Sequence, residues 1–275
     1  MSTTQMAPRP RSLLHRAGLA THAQTSGLQV YFSSVAWIPS ITRALLHLTV
    51  LAYSTSFITY LLDSGYSVTL VTFASSTGSA MDLGGTVLAP SIVHFFSARR
   101  RAQSEKTRAS MHEVDASRSR PTKDTSTLER LGLIGISWQF FSLIPVTAIL
   151  FQLRPISNAS HAVLWTHHGP VPLVMPLFAF LLLSRMGYWA FDLTSAELTQ
   201  VLAPAGTRAV YGGVEEAFRS LFQLSYWILT TVFGNPHYFQ WLALGSLGSV
   251  GVAALAYAFW VMDREGERTF GEDLE

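Results

Sequence analysis

The sequence predicts an all-α membrane protein, a multi-pass transmembrane helical bundle of six spans, and three observations support this prediction. Of the 275 residues, 49% are apolar and only 13% are charged, whereas soluble domains usually carry about 25% charged residues. Six stretches approach the roughly 20 apolar residues that a spanning helix needs. The Lys and Arg residues are concentrated in a few segments between these stretches, as they are in the cytosolic loops of membrane proteins.

The composition also excludes several classes of function. The chain has no cysteine, which rules out disulfides, thiolate metal sites and thiol catalysis. The net charge of +2 is small, whereas a nucleic-acid-binding domain needs a basic face. The zinc-protease helix, the phosphate-binding loop and the hydrolase serine elbow are all missing. We therefore predict that the protein is not an enzyme, has no cofactor and does not bind nucleic acid.

The six apolar stretches are separated by polar or turn-forming residues. In chain order they are Ile38–Leu62, Val68–Phe96, Leu131–Leu153, Val171–Leu202, Gly213–Phe233 and Phe239–Met262.

The first stretch has a polar midsection, Tyr53-Ser54-Thr55-Ser56. Hydroxyl side chains can satisfy the backbone groups that a break frees within a membrane helix, and broken helices mark the binding sites of many transporters. The same side chains also join neighbouring membrane helices, so both interpretations stay open. Arg43 lies near the inner end of this stretch, where a long side chain can reach the interface. The second stretch is longer and carries Asp82.

The third stretch is uninterrupted, whereas the fourth changes character after Leu183. Arg185 and Asp192 are seven residues apart and share one helix face. Because charges are costly in lipid, this face is expected to meet protein or a water-filled path. The alternative is that the span ends near Ser184 and continues as a surface helix, which would also carry Glu197.

The fifth stretch opens with Glu215, Glu216 and Arg219, and the simplest interpretation is that these residues face the cytosol. The sixth stretch, Phe239–Met262, contains no charged residue. Trp and Tyr occur at several span ends, as is typical of the membrane interface.

The distribution of basic residues predicts the orientation of the bundle. Nine Lys and Arg residues fall within 97–130, so we expect this segment to be a disordered cytosolic loop. The tails 1–36 and 263–275 then flank the six-span region 37–262 on the cytosolic side. The loop 154–170 falls outside and contains the glycosylation pattern Asn158-Ala159-Ser160. The first 30 residues lack the apolar core of a secretory signal, and a mitochondrial presequence is the alternative to a cytosolic tail.

The segment from Ser184 to Thr194, which reads SRMGYWAFDLT, closely resembles a signature of the ferroportin family. The likeness continues at single positions and short pairs on both sides and extends from about Gly27 to Arg268. These positions are Leu48–Leu51, Gln200, Arg208, Gly213-Val214, Asn235-Pro236, Phe239, Ser246, Val250 and Tyr257.

The resemblance implies one lobe of a major-facilitator-like transporter. Ferroportins have two six-helix lobes and export divalent metal, chiefly ferrous iron, by alternating access. The chain would be the C-terminal lobe, integral to the plasma membrane or to a vacuolar or other internal membrane. Its first span would be the family's seventh helix, which is broken within the membrane.

The family's metal ligands in this lobe are a cysteine on the broken helix and a histidine on the eleventh helix. Thr55, preceded by Ser54, and Tyr226 occupy these positions here. A hydroxyl and a phenol are poorer ligands for divalent transition metals than a thiolate and an imidazole, so the implied site is weak or rebuilt. His47 lies eight residues before Thr55 and contributes only if the helix is broken between them.

The resemblance also implies a network that holds and gates the cytosolic side of the lobe. Its expected members are Arg185, Asp192, Gln200 and Arg208.

The other lobe of such a transporter is not found in this sequence. A fragment, a naturally short product and a half-transporter that dimerises are all compatible with this. The expected partners are therefore the lipid bilayer and either an N-terminal lobe or a second copy. The alternative function is that of a non-transporting membrane subunit or scaffold, which the loss of both ligand types favours.

Overall fold

The structure is a computed structural model that describes residues 27–272, with gaps at 50, 52–54, 64–65, 85–121, 153–170, 204–205, 234 and 236–237. Within these residues the chain forms helices joined by short turns, and no described residue lies in a strand. This confirms the all-α prediction.

Eight α-helices and one 3-10 turn follow each other in the described part of the chain. They are α1 (27–33), α2 (Trp37–Leu45), the 3-10 turn Leu46–Leu48, α3 (Thr55–Asp63), α4 (68–84), α5 (Thr122–Gln152), α6 (Val171–Leu202), α7 (Arg208–Val232) and α8 (Phe239–Glu272). Two segments of the described helices, Thr125–Gln152 and Phe239–Arg268, are long and apolar enough to cross a membrane. The number of six spans stays a prediction.

The first predicted span is not one continuous helix. Helix α2 ends at Leu45, the 3-10 turn follows, and Thr49 is extended with φ −73° and ψ 119°. The helix resumes at Thr55 as α3. Of the two interpretations of the polar midsection, the structure therefore agrees with a broken helix. Ser54 itself lies outside the described residues.

Two predicted boundaries differ from the structure because helices α5 and α8 are longer than their apolar stretches. Helix α5 begins at Thr122, so the predicted loop 97–130 is too long at its C-terminal end, and residues 97–121 lie outside the described part. Helix α8 continues through most of the predicted tail to Glu272. The loop 154–170, with Asn158, is also outside the described residues.

An ion-paired contact between α5 and α8 explains both extensions. The Glu129 side chain is 1% exposed, and its Oε1 accepts from Arg268 at 2.8 Å and pairs with Arg264 at 3.3 Å. The hydroxyl of Tyr257 donates to the backbone carbonyl of Glu129 at 3.3 Å. Each helix thus gains polar partners beyond the end of its apolar surface.

Helices α5 and α6 cross in direct backbone contact at two glycines, Gly135 and Gly187. A Cβ built on Gly187 would lie 2.7 Å from the backbone nitrogen of Gln139 and 2.7 Å from the carbonyl oxygen of Gly135. A Cβ on Gly135 would lie 2.9 Å from the backbone nitrogen of Phe191. Small residues allow such close approach between membrane helices. We call this contact the glycine crossing.

Helix α8 packs against α5 and completes the core. Gly251 of α8 lies against the ring of Phe140, and the ring of Tyr257 meets Phe191 edge to face at 5.1 Å. The fully buried side chains of this core include Ile136, Leu143, Leu150, Leu177, Leu181 and Leu198.

Candidate functional site

Helix α6 runs unbroken from Val171 to Leu202, so its polar half is part of the same helix as its apolar half. Where the membrane span ends along this helix stays a prediction. The charged residues of α6 meet neighbours from within the bundle, and two ion-paired groups form on it.

The first group joins α6 to α4. Arg185 donates to both carboxylate oxygens of Asp82, at 2.7 Å from Nη2, and the indole of Trp189 donates to the same carboxylate at 3.0 Å. The guanidinium of Arg185 also lies 5.0 Å from the ring centre of Tyr188. Arg185 and Trp189 of one helix thus both donate to Asp82, and these hydrogen bonds tie α4 to the middle of α6.

The second group joins three helices and is named here the ion cluster, which consists of Arg43, Asp192 and Glu215. Arg43 of α2 donates through Nε to Asp192 of α6 at 2.6 Å and through Nη2 to the other oxygen at 3.2 Å. Its Nη1 donates to Glu215 of α7 at 3.2 Å. All three side chains are 14–15% exposed. One guanidinium is therefore shared between two carboxylates, which leaves a formal charge of −1.

These contacts decide between the interpretations of the charged residues. The face of α6 that carries Arg185 and Asp192 meets protein, as expected. Arg43 and Glu215, for which the simpler interpretations were a side chain reaching the interface and a side chain facing the cytosol, are both held by protein partners in the ion cluster. Glu216 and Arg219 instead pair with each other at 3.0 Å, one turn apart on α7.

The other two members of the expected gating network are placed apart from the ion cluster. Gln200 is exposed near the end of α6. Arg208, also exposed, begins α7, and its Nε donates to the carbonyl of Ala203 at 3.3 Å. Within the described residues, Arg208 therefore closes the turn between α6 and α7, and a joint network of all four residues stays a prediction.

Of the two expected substrate positions, one begins the helix that follows the break and the other lies on α7. Thr55 is the first residue of α3, and its side chain, like all of Ser54, is outside the described part. Tyr226 of α7 is buried, with its ring 5.1 Å from that of Trp227. His47 lies in the 3-10 turn that leads to the break, within the electrostatic reach of Arg43, Asp192, Glu216 and Arg219.

The two halves of the broken helix are held by different chemistry. Helix α2 is tied to α6 and α7 through Arg43, whereas α3 is held by aromatic packing. The ring of Tyr60 stacks on Phe239 of α8 at 4.6 Å, and its hydroxyl donates to the carbonyl of Leu150 of α5 at 3.4 Å. The break thus separates α2, which is held through the ion pairs of Arg43, from α3, which is held by aromatic packing.

In the part of the chain that the structure describes, no group of three His, Asp or Glu side chains could hold a metal ion. The carboxylates of Asp192 and Glu215 are occupied by Arg43.

The sequence did not indicate the partners of Arg43 and Asp82. The available signal was that charges occur at membrane depth on four separate stretches, and such charges usually pair with one another. Which of them pair depends on how the helices are arranged in space.

The chain matches the family model for Ferroportin1 (FPN1) over residues 3–101 and 120–250. Ferroportin from Rattus norvegicus is 30% identical over 129 residues, which cover 46% of this chain and 22% of that protein. Solute carrier family 40 member 2 from Arabidopsis thaliana is 25% identical over 254 residues, covering 92% of this chain and 40% of that protein. The chain thus spans less than half the length of these relatives.

Solved structures give the same match at the level of the fold. A bacterial homologue of the iron transporter ferroportin in its outward-facing state superposes with a TM-score of 0.62 at 19% identity, covering 84% of this chain and 46% of that one. The inward-facing state of such a homologue gives a TM-score of 0.56 at 20% identity, covering 82% and 45%. A third structure, outward-facing with soaked iron, gives 0.54 at 22% identity, covering 84% and 47%.

Proposed function

The chain belongs to the ferroportin family, and from this premise we propose that it transports ferrous iron or a related divalent metal out of a compartment as one lobe of an exporter. The proposed mechanism is alternating access, in which two lobes rock around a site near the middle of the membrane. The relatives are transporters, and we propose no enzymatic activity and no cofactor for this chain.

The observation that carries the proposal is the break between α2 and α3. Irregular backbone at membrane depth is tolerated only where protein buries it or where it lines a water-filled cavity. The 3-10 turn Leu46–Leu48 follows Arg43 of the ion cluster and packs against α7, which carries Tyr226. Oxygen atoms from such a break can coordinate a cation during transport.

In the proposed site, Thr55 and Tyr226 occupy the substrate positions, with Ser54 and His47 close in sequence to the break. A hydroxyl, a phenol and backbone carbonyls bind divalent metals weakly. We therefore propose that affinity is low and that the residual negative charge of the ion cluster attracts the cation.

The ion cluster has a further role in this proposal. We propose that Asp192 and Arg185 position the helices that close the cytosolic side. Gln200, near the end of α6, and Arg208, at the start of α7, are assigned to the same network. When the ion pairs of Arg43 break, α2 is released. The ion cluster can therefore be formed in one state of the lobe and broken in the other.

The membrane arrangement is proposed in the same way. Six spans with both termini in the cytosol follow from the distribution of basic residues, and the membrane is the plasma membrane or an internal one such as the vacuolar membrane. An N-terminal lobe or a second copy of the chain supplies the other side of the path.

The test is a metal flux measurement with the full chain in liposomes that enclose a dye quenched by Fe²⁺ or Mn²⁺. We expect quenching with the wild type and a loss of at least several-fold with Asp192→Asn at equal protein incorporation. Arg130→Gln, which removes an exposed pair with Glu265, is the matched control. Unchanged flux in Asp192→Asn would refute the gating role.

A non-transporting membrane subunit or scaffold is the second candidate. It is favoured by the oxygen side chains at positions 55 and 226, where the family has a thiol and an imidazole. Folded protein that moves no metal and does not protect any divalent metal from a chelator would favour this second function.

A further inference from the structure

The turn between α1 and α2 is hydrogen-bonded to two helices that come much later in the chain. The indole Nε1 of Trp260, on α8, donates to the backbone carbonyl of Val35 at 3.2 Å. The hydroxyl of Tyr211, on α7, donates to the backbone carbonyl of Ala36 at 2.8 Å. The donors follow their acceptors by 225 and 175 positions. The start of α2 is therefore attached to both α7 and α8.

The carbonyl of Val35 is available to another helix because of a proline in α2. Within this helix, the carbonyl of Ala36 accepts from the N–H of Ser40 at 3.2 Å, four residues later. For the carbonyl of Val35, the corresponding donor would be residue 39, which is Pro39 and has no N–H. A backbone carbonyl away from water needs a partner. The sequence of α2 thus leaves an acceptor open, and Trp260 supplies the donor.

Trp260 is itself held in a fixed orientation on α8. It is 5% exposed, and its ring lies 5.5 Å from that of Tyr257. The guanidinium of Arg264 lies 5.4 Å from the centre of the indole ring. Arg264 in turn pairs with the buried carboxylate of Glu129, on α5, at 3.3 Å. The indole that donates to Val35 is therefore oriented by the contact between α5 and α8.

The position of α2 decides whether Arg43 reaches its partners in the ion cluster. Helix α2 begins at Trp37, and Arg43 lies about 9 Å further along its axis at the usual rise of a helix. Arg43 donates to both carboxylate oxygens of Asp192, at 2.6 Å and 3.2 Å. Such a two-pronged contact requires a defined geometry. Because a short helix moves as a unit, a displacement at its start would also displace Arg43.

From the open carbonyl, the oriented indole and the geometry of the Arg43 contact, we propose that Trp260 is a positioning residue for the ion cluster. Its hydrogen bond to Val35 holds the start of α2, so that Arg43 returns to the same two carboxylates each time its ion pairs form again. This role in transport rests on the proposed function of the ion cluster, whereas its effect on the geometry of the cluster can be measured without transport.

The first experiment compares two tryptophans that make the same kind of hydrogen bond. Trp260→Phe keeps an aromatic ring and removes the N–H. Trp138→Phe is the matched control, because the indole of Trp138 donates to the carbonyl of Leu183 at 3.1 Å, between α5 and α6. Each change is made in the wild type and in Arg43→Gln, and the full chain is unfolded by heat in detergent.

We expect the two tryptophans to respond differently to the loss of Arg43. Trp260→Phe should lower the melting temperature by about half as much, or less, in Arg43→Gln as in the wild type, because no Arg43 contact is left to position. Trp138→Phe should lower it equally in both backgrounds.

The second experiment measures metal flux into liposomes at equal protein incorporation. Trp260→Phe should lower the flux several-fold, and Trp138→Phe should leave it unchanged. Pro39→Ala then separates positioning from simple pairing of the carbonyl, because it gives residue 39 an N–H that can donate to Val35 within α2. In the Pro39→Ala background, Trp260→Phe should lower the melting temperature less than in the wild type but lower the flux as much. This background also serves for both experiments if Trp260→Phe alone does not fold.

Three results would overturn the proposal. Equal losses of melting temperature from Trp260→Phe with and without Arg43 would show that the hydrogen bond does not act on the ion cluster. Flux equal to that of Pro39→Ala in the variant that also carries Trp260→Phe would show that the carbonyl needs only a partner. An equal loss of flux from Trp138→Phe would show that the effect is not specific to α2. A wild type that moves no metal would instead refute the proposed function, and the unfolding experiment would still decide whether Trp260 positions Arg43.

Discussion

The glycine crossing and the ion cluster both involve helix α6, but they hold it in opposite ways. At the glycine crossing, the backbones of α5 and α6 touch, and a single added methyl group would come within 2.7 Å of two backbone atoms. At the ion cluster, α6 is joined to α2 and α7 by the charged ends of the Arg43, Asp192 and Glu215 side chains. The first contact depends on close packing of two backbones, and the second depends on attraction between charged side chains.

This difference indicates which part of the lobe can change its arrangement. Closely packed backbones have one favourable geometry and lose contacts steeply when they separate. Charged side chains can exchange a protein partner for water or for an ion when the helices that carry them separate. We infer that α5, α6 and α8 form a rigid frame and that α2 and α7 move against it.

The sharpest test of the rigid frame is Gly187→Leu. The new side chain has no space because Gln139 and Gly135 present backbone atoms at 2.7 Å. Inserting side-chain atoms into a packed contact typically lowers the free energy of unfolding by about 1–3 kcal/mol. We expect Gly187→Leu to lower it by about 3 kcal/mol or more. Size-exclusion chromatography and thermal unfolding in detergent measure the effect. Gly245→Leu, at an exposed position of α8 where a Cβ meets no atom within 4 Å, is the control, and a melting temperature of Gly187→Leu equal to that of the wild type would contradict a rigid crossing.

The corresponding test of the ion cluster is Arg43→Gln. Removing one partner of a buried ion pair typically costs about 3–5 kcal/mol because the other charge stays buried. We expect about 2–3 kcal/mol here, since the side chains remain 14–15% exposed and water can reach them.

Adding Asp192→Asn to Arg43→Gln should recover part of the lost stability, because one uncompensated carboxylate is then neutral. Thermal unfolding of the wild type, both single variants and the double variant completes the cycle. Strict additivity of the two effects would show that Arg43 and Asp192 do not interact as described.

The pair between α4 and α6 gives a smaller effect. Asp82→Asn keeps an oxygen that accepts from Trp189 and Arg185 but removes the charge, and the Asp82 side chain is 35% exposed. We expect a loss of about 1 kcal/mol or less, as for partly exposed ion pairs. The effect should shrink when salt is raised in the unfolding experiment, and an effect that is independent of salt would assign it to packing.

The smallest effect is expected for Arg130→Gln. Arg130 is 69% exposed and pairs with Glu265 at 2.9 Å across α5 and α8. Exposed pairs contribute about 0–1 kcal/mol, so the melting temperature should change by no more than a degree or two. A large loss would show that this pair supports the neighbouring Glu129 contact.

Much of the fold could be predicted from the sequence because helical spans are encoded locally, in the length and polarity of each stretch. The protein-facing side of α6 was also predictable, since Arg185 and Asp192 are costly in lipid whatever surrounds them. The break in the first span was one of two interpretations, and the extended backbone of Thr49 agrees with it.

The pairing of charges was not predictable, because it depends on contacts between residues far apart in the chain. Arg43 and Asp192 are 149 positions apart, and no local pattern on α2 names its partner. The glycine crossing was missed for the same reason. Gly135 and Gly187 are two of 19 glycines, and only the crossing of two helices distinguishes them from the open Gly245.

The contact around Glu129 has a consequence for how the sequence can diverge. Two arginines, Arg264 and Arg268, one turn apart on α8, serve the same buried carboxylate. Loss of either arginine leaves the acid with the other, whereas loss of the acid leaves two cations without it. Substitutions should therefore accumulate at one arginine at a time among close relatives, while the glutamate changes only together with both.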